Sequence, residues 1–153
     1  MNVVIAGSHR LPAGQAPRLL IRFLAALPDD AIILMRRGMN GQVPGPFEFD
    51  VAQLCYMLHL GNMWFEPAPT DKYPGRKSVF LRDIEMVRKA DLVILFVTPE
   101  EVEDAYAGTM HLLDKAMDED RPVYAYSVDQ DGHVKRVGEY DTQHLYADIA
   151  PSA

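Results

Sequence analysis

The chain predicts an α/β fold of three layers, with a mainly parallel five-stranded sheet between helices and a small hairpin at its C-terminal end. Three observations predict it. Short apolar runs recur at Asn2 to Ala6, Ala31 to Met35, Asn62 to Glu66, Leu92 to Val97 and Val123 to Val128. The segments between them carry apolar residues at helical spacing. Leu92 to Val97 is apolar without a break and rich in β-branched residues, the pattern of a strand covered on both faces in a parallel sheet. Strands alternating with helices over this length build a parallel sheet with helices on both sides.

Each element has its own start and stop. Asn2 to Ala6 runs out into the polar loop Gly7-Ser8-His9-Arg10. Pro17 opens a first helix with Leu20, Phe23, Leu24 and Leu27 on one face, and Pro28 ends it. After the strand Ala31 to Met35, the loop Arg36 to Pro46 carries Gly38, Gly41 and Gly45, which let backbone approach a ligand or take a positive φ. Pro46 starts a second helix through about Leu60, with Val51, Leu54, Cys55 and Leu58 toward the core. The strand Asn62 to Glu66 and the proline-interrupted loop Pro67 to Gly75 come next, and Ser78 caps a third helix through Lys89.

Beyond Leu92 to Val97, Thr98-Pro99-Glu100-Glu101 matches a capping box and predicts a short helix over about residues 99–106. Gly108 breaks it, and Thr109 caps a further helix with Met110, Leu113, Ala116 and Met117 on its apolar face. After the fifth strand, Asp131-Gly132 turns the chain into Val134 to Val137. Residues 1–137 thus read as one domain and 138–153 as a tail without periodicity.

At 153 residues and 48% hydrophobic, the chain can bury a core without disulfide or metal staples. Cys55 is the single cysteine, which excludes an internal disulfide and reads as a buried thiol. Met1-Asn2 leads into Val3 with no basic segment, and no apolar run reaches the length of a membrane span; a cytoplasmic protein without membrane association is expected. Net charge is −7, which disfavours nucleic acid, although Arg36-Arg37 and Arg76-Lys77 are local basic points. The histidines His59, His111, His133 and His144 show no metal-ligand spacing; His111 alone falls near a site at the strand ends, as a base contact or an exposed helix residue.

In parallel sheets ligands bind beyond the carboxyl ends of the strands, where strand order switches. The loops after the first, second and fourth strands are the polar or glycine-bearing ones, so a ligand site is expected there. A strand feeding Gly108-Thr109 and a helix start offers unpaired N–H groups to an anion.

The pieces VVIAGSHR, the glycine-bearing loop with Asp50 beyond it, GRKSVFLRDIEMVRKADLVILF, AGTMHLLDKA and PVYAY, in that order over residues 2–128, resemble the SLOG superfamily, most closely its YspA-like branch. The resemblance implies a Rossmann-like fold akin to cytokinin-activating phosphoribohydrolases and nucleoside deoxyribosyltransferases. It also implies a nucleotide-derived ligand of ADP-ribose or cyclic-nucleotide type, no cofactor, and a homo-oligomer. The expected ligand contacts are Gly7, Ser8, His9, Arg10, Gly38, Asn40, Gly41, Asp50, Arg82, Thr98, Gly108, Thr109 and Met110. Asp50 is expected to meet the ribose; Glu48 shares its helix turn, where acids also suit the macrodipole. Arg82 either faces the ligand or pairs with Glu85 or Glu101.

Two departures separate this chain from the enzyme branches. Leu112 stands where they carry a glutamate, and leucine can neither accept a proton nor attack an anomeric carbon. Arg37-Gly38-Met39-Asn40-Gly41 also lacks their adjacent glycines. Binding as sensor, carrier or sequestering protein is therefore expected. The alternatives are cleavage or transfer at an N-glycosidic bond, with Glu101, Glu103 or Asp104 supplying the acid, and a protein-interaction module with a vestigial pocket.

Overall fold

A computed structural model of the chain describes residues 1–11, 18–37, 45–66, 72, 76–104 and 108–137. The elements are β1 (Asn2–Gly7), α1 (Arg18–Ala26), β2 (Ile32–Arg36), α2 (Pro46–Met57), β3 (Gly61–Phe65), α3 (Arg76–Lys89), β4 (Leu92–Val97), α4 (Gly108–Asp118), β5 (Val123–Val128) and β6 (Val134–Arg136). The sheet runs β3-β2-β1-β4-β5-β6, parallel from β3 to β5, with β6 antiparallel to β5. The fold is the expected α/β architecture, compatible with a Rossmann-like three-layer sandwich. The hairpin is part of the sheet itself, so the sheet has six strands. Gly132, at φ 82°, lets that hairpin turn.

Two cores follow from the alternation of side chains along each strand. Val3, Ile5, Ile33, Ile94 and Phe96 face α1 and α2, where Phe23, Phe47 and Val51 meet them. Val4, Ala6, Leu34, Val93 and Leu95 face α3 and α4, against Met86, Val87, Leu112 and Leu113. β1, β4 and β5 are buried on both faces, which is why β4 reads as an unbroken apolar run and the other two as nearly so. Among the described residues, no helix is long and apolar enough to cross a membrane.

Four boundaries and faces differ from the sequence expectation. α2 stops at Met57, because His59 takes the left-handed conformation at φ 58° and the Leu60 N–H turns back to the carbonyl of Cys55; Leu58 is exposed as a result. α3 begins at Arg76, so Ser78 lies buried inside it and does not cap it. After β4 the capping residues close only a 3-10 turn, Pro99–Glu101, in place of a helix through 106. In α4 the buried face is Thr109, Leu112, Leu113 and Ala116, while Met117 is 47% exposed. Leu112 is core: its methyl groups fill the α4 side of the sheet, where a carboxylate would be buried without a partner.

Candidate functional site

β1 pairs with β2 on one side and β4 on the other, so strand order switches between β1 and β4. A cavity of about 200 Å³ opens at the carboxyl ends of these strands. Its walls come from Gly7 at the end of β1 and His9 beyond it, Arg36 at the end of β2 and Arg37 beyond it, and Gly45 and Glu48 at the start of α2. Arg82 on α3, Glu101 after β4, and Gly108 with Thr109 at the start of α4 complete it.

Arg36 holds the cavity together. Its Nη2 donates to the carbonyl of Gly7 at 2.8 Å, to Glu48 Oε1 at 3.1 Å and to Thr109 Oγ1 at 3.1 Å, tying β1, α2 and α4 to the end of β2. Glu48 is buried, and the same Oε1 also accepts the Gly7 N–H at 3.4 Å. A buried carboxylate needs such partners. Arg36 Nη1 lies on the Gly108 side, 3.8 Å from where a Cβ there would stand.

Arg82 is 6% exposed. Its Nε and Nη2 donate to Asp83 Oδ1 at 3.1 and 3.0 Å, and its Nη1 donates to the carbonyl of Arg37 at 2.8 Å. The pairing with Asp83 replaces the Glu85 or Glu101 partners expected from sequence; Glu85 pairs with Lys89 on the surface. Burial lowers the Arg82 pKa, Asp83 opposes this, and the nearby charge of Arg36 lowers it further. An arginine stays protonated through such a shift.

Glu101 is the second carboxylate of the wall. Its Oε1 accepts the Thr98 N–H at 3.1 Å and the Thr98 hydroxyl at 2.8 Å. These bonds tie the Glu101 carboxylate to the start of the tight turn Pro99–Glu101. Burial raises the Glu101 pKa, but hydrogen bonds from Ser8 and Thr98 and the charge of Arg10 together bring it below the ordinary glutamate value. The site thus holds a fixed, ionised acceptor.

Of the residues expected to contact ligand, Gly7, His9, Arg82, Gly108 and Thr109 line the cavity. Ser8 and Thr98 stand one layer behind, oriented toward Glu101. Arg10 donates its backbone N–H to Ser8 Oγ and is exposed. Met110 packs against the α4-side core. Asp50 is half-buried and is not among the described cavity residues; Glu48, two positions earlier, takes that place. Gly38, Asn40 and Gly41 lie outside the described residues. Of the three alternative acids, Glu101 alone reaches the described wall; Glu103 is exposed and Asp104 half-buried.

Sequence reasoning named Arg36 only as a local basic point and weighed Glu48 beside Asp50 as either a ribose contact or a plain helix-turn acid; it did not find the Asp83 and Arg37 partners of Arg82. His111, expected as a base contact or an exposed helix residue, is largely buried and is not among the described cavity residues. Its ring stacks on Phe80 with centroids 4.0 Å apart, and its Nδ1 lies 3.1 Å from Asp83 Oδ2.

The arrangement suits an anion bearing hydroxyl groups. α4 has no acid in its first turn, so its positive end carries no carboxylate of its own beside Arg36 and Arg82. Glu48 and Glu101 can accept hydroxyl protons. Asp129, Asp131 and His133 also bring ligating atoms within 4.8 Å of one another in the exposed β5–β6 turn, where Asp129 Oδ1 already accepts the N–H groups of Asp131 and His133. Compared with known proteins, the chain matches no protein-family model and no curated protein.

Proposed function

We propose that this chain is a SLOG-like protein that binds a nucleotide or nucleotide-derived small molecule at the carboxyl edge of its sheet, as a sensor, carrier or sequestering protein. One observation carries the reading: at the strand-order switch, Arg36 and Arg82 converge with the acid-free start of α4, beside the carboxylates Glu48 and Glu101. Cations and helix N–H groups take phosphate, and the carboxylates take ribose hydroxyls. The role expected of Asp50 passes to Glu48 and Glu101. Leu112 lies in the core, which supports binding over glycosidic chemistry.

Native mass spectrometry with AMP, ADP-ribose, cyclic ADP-ribose isomers and NAD tests this. Stoichiometric retention of one intact ligand is the expected result. Failure of every compound to bind would overturn the reading and favour an interaction module. Release of free base would instead support N-glycosidic cleavage, for which the ionised Glu101 in the cavity wall is the available carboxylate.

The expected homo-oligomer has a surface to form on. Phe49, Tyr56 and Met57 are exposed along the outer face of α2, and residues 51–65 contain no Asp, Glu, Lys or Arg. A chain of net charge −7 repels its own copies least across such a face. The protein is proposed to be cytoplasmic, without nucleic acid as a main partner.

A further inference from the structure

The carboxylate of Asp83 is fully buried, and its two oxygens serve different partners. Oδ1 takes Nε and Nη2 of Arg82; Oδ2 faces Nδ1 of His111 at 3.1 Å. Neighbouring residues on a helix do not ordinarily face each other. Here the Arg82 guanidinium folds back onto Asp83 while its Nη1 is fastened to the carbonyl of Arg37 beyond β2. His111 is held just as firmly, between the Phe80 ring and the Asp83 carboxylate, on the helix whose first turn forms the opposite cavity wall.

We infer that Asp83 is the positioning residue for the cavity's buried arginine, and that His111, through Asp83, sets how much of the Arg82 charge is left for an anion. The inference rests on the anion-binding reading of the cavity and adds its regulation. With a neutral imidazole, Arg82 and Asp83 cancel. With an imidazolium, Asp83 is shared between two cations and the buried group carries a net positive charge beside the ligand. Anion affinity therefore rises with protonation of the imidazole, which the pH dependence of binding reads out.

Asp83 and Arg82 face His111 from α3, where Lys77 lies one turn before Phe80. Asp114 and Lys115 follow on α4, the latter paired with Asp118, and Arg36 reaches α4 at Thr109. Among the described residues, His9 is the imidazole in the cavity wall itself, so its contribution must be removed first.

Calorimetric titration of the whole chain with ADP-ribose, whose diphosphate keeps its charge over this range, tests the inference between pH 5.5 and 8; inorganic sulfate serves as a base-free probe. In the His9→Asn background, affinity is expected to rise roughly three- to tenfold as pH falls. Adding His111→Gln should flatten the profile. Adding Asp83→Asn in place of His111→Gln should flatten it too, because the amide oxygen still accepts from Arg82 while its NH2 makes His111 an acceptor. A slope that survives His111→Gln, or no slope with His9→Asn alone, overturns the inference while leaving the binding site standing. No binding of either probe at any pH overturns both. A purely structural His111 would lower thermal stability in the Gln variant without changing the slope.

Discussion

Phe47 occupies the space that a side chain at position 7 would need: a Cβ on Gly7 would stand 2.3 Å from the Phe47 ring. The glycine that ends β1 is therefore required by packing, with Phe47 in turn lying against Phe96 at a centroid distance of 5.5 Å. Gly7→Ala should cost about 2 kcal/mol, about 6 °C in Tm. Combining it with Phe47→Leu should cost less than the sum of the single changes, as measured by a thermal double-mutant cycle.

Gly108 has the opposite character. Among the described residues, a Cβ there meets nothing closer than Arg36 Nη1 at 3.8 Å, an ordinary contact. Gly108→Ala should leave stability within about 0.5 kcal/mol of the parent or raise it. ADP-ribose affinity should fall about fivefold, equivalent to about 1 kcal/mol, because the methyl group enters the approach to α4. Calorimetry and a melting curve on one preparation separate the two effects.

Glu101 links stability to pH. Its carboxyl titrates below the ordinary glutamate range when folded, so its contribution is complete above that range and is lost as pH falls through the folded value. Glu101→Gln should lower stability at neutral pH by about 1 kcal/mol. The gap from the parent should close on acidification. A gap that persists at acid pH would show that lost shape, not lost charge, is responsible.

Burial pushes the Cys55 thiol up to about 11. At pH 8 about one molecule in a thousand then carries the thiolate. Ellman's reagent should react with the folded chain at least about 100-fold more slowly than with the chain in guanidinium. The sign of the linkage also follows. The contribution of the protonated thiol is present below the ordinary thiol value and declines as pH rises toward 11, and Cys55→Ala removes that decline.

Tyr56 is 85% exposed and Met57 70% exposed on α2. Light scattering coupled to size exclusion should show a homo-oligomer for the parent chain. Tyr56→Glu with Met57→Glu should give a monomer with an unchanged circular dichroism spectrum. A parent that is already monomeric at high concentration would remove the proposed interface.

The fold was legible because its signals are periodic. Short apolar runs marked β1, β4 and β5, and helical spacing marked Leu20, Phe23, Leu24 and Leu27, all four of them buried. The site was half legible for a related reason. Glu48 shares a helical stripe with Val51 and Cys55, so its burial could have been read from the same spacing that placed those two in the core. Asp83 likewise precedes Met86 and Val87 by three and four positions. Arg36 carried no such mark. An arginine between an apolar strand and a second arginine reads as a solvated strand end, and only the closing of β2 against β1 turns it over Gly7. Ser8 and Thr98 lie beside loop residues that line the cavity, but a hydroxyl can turn outward or inward, and both turn toward the buried Glu101.

The three acceptors of Arg36 Nη2 lie 29, 12 and 73 positions away along the chain. No segment of the protein can make the cavity alone: β1, β2, α2 and α4 must all have docked before those bonds exist. Occupancy is therefore a measure of global folding. An anion that binds there draws the whole domain toward its native state by mass action, and a partly folded chain is blind to it.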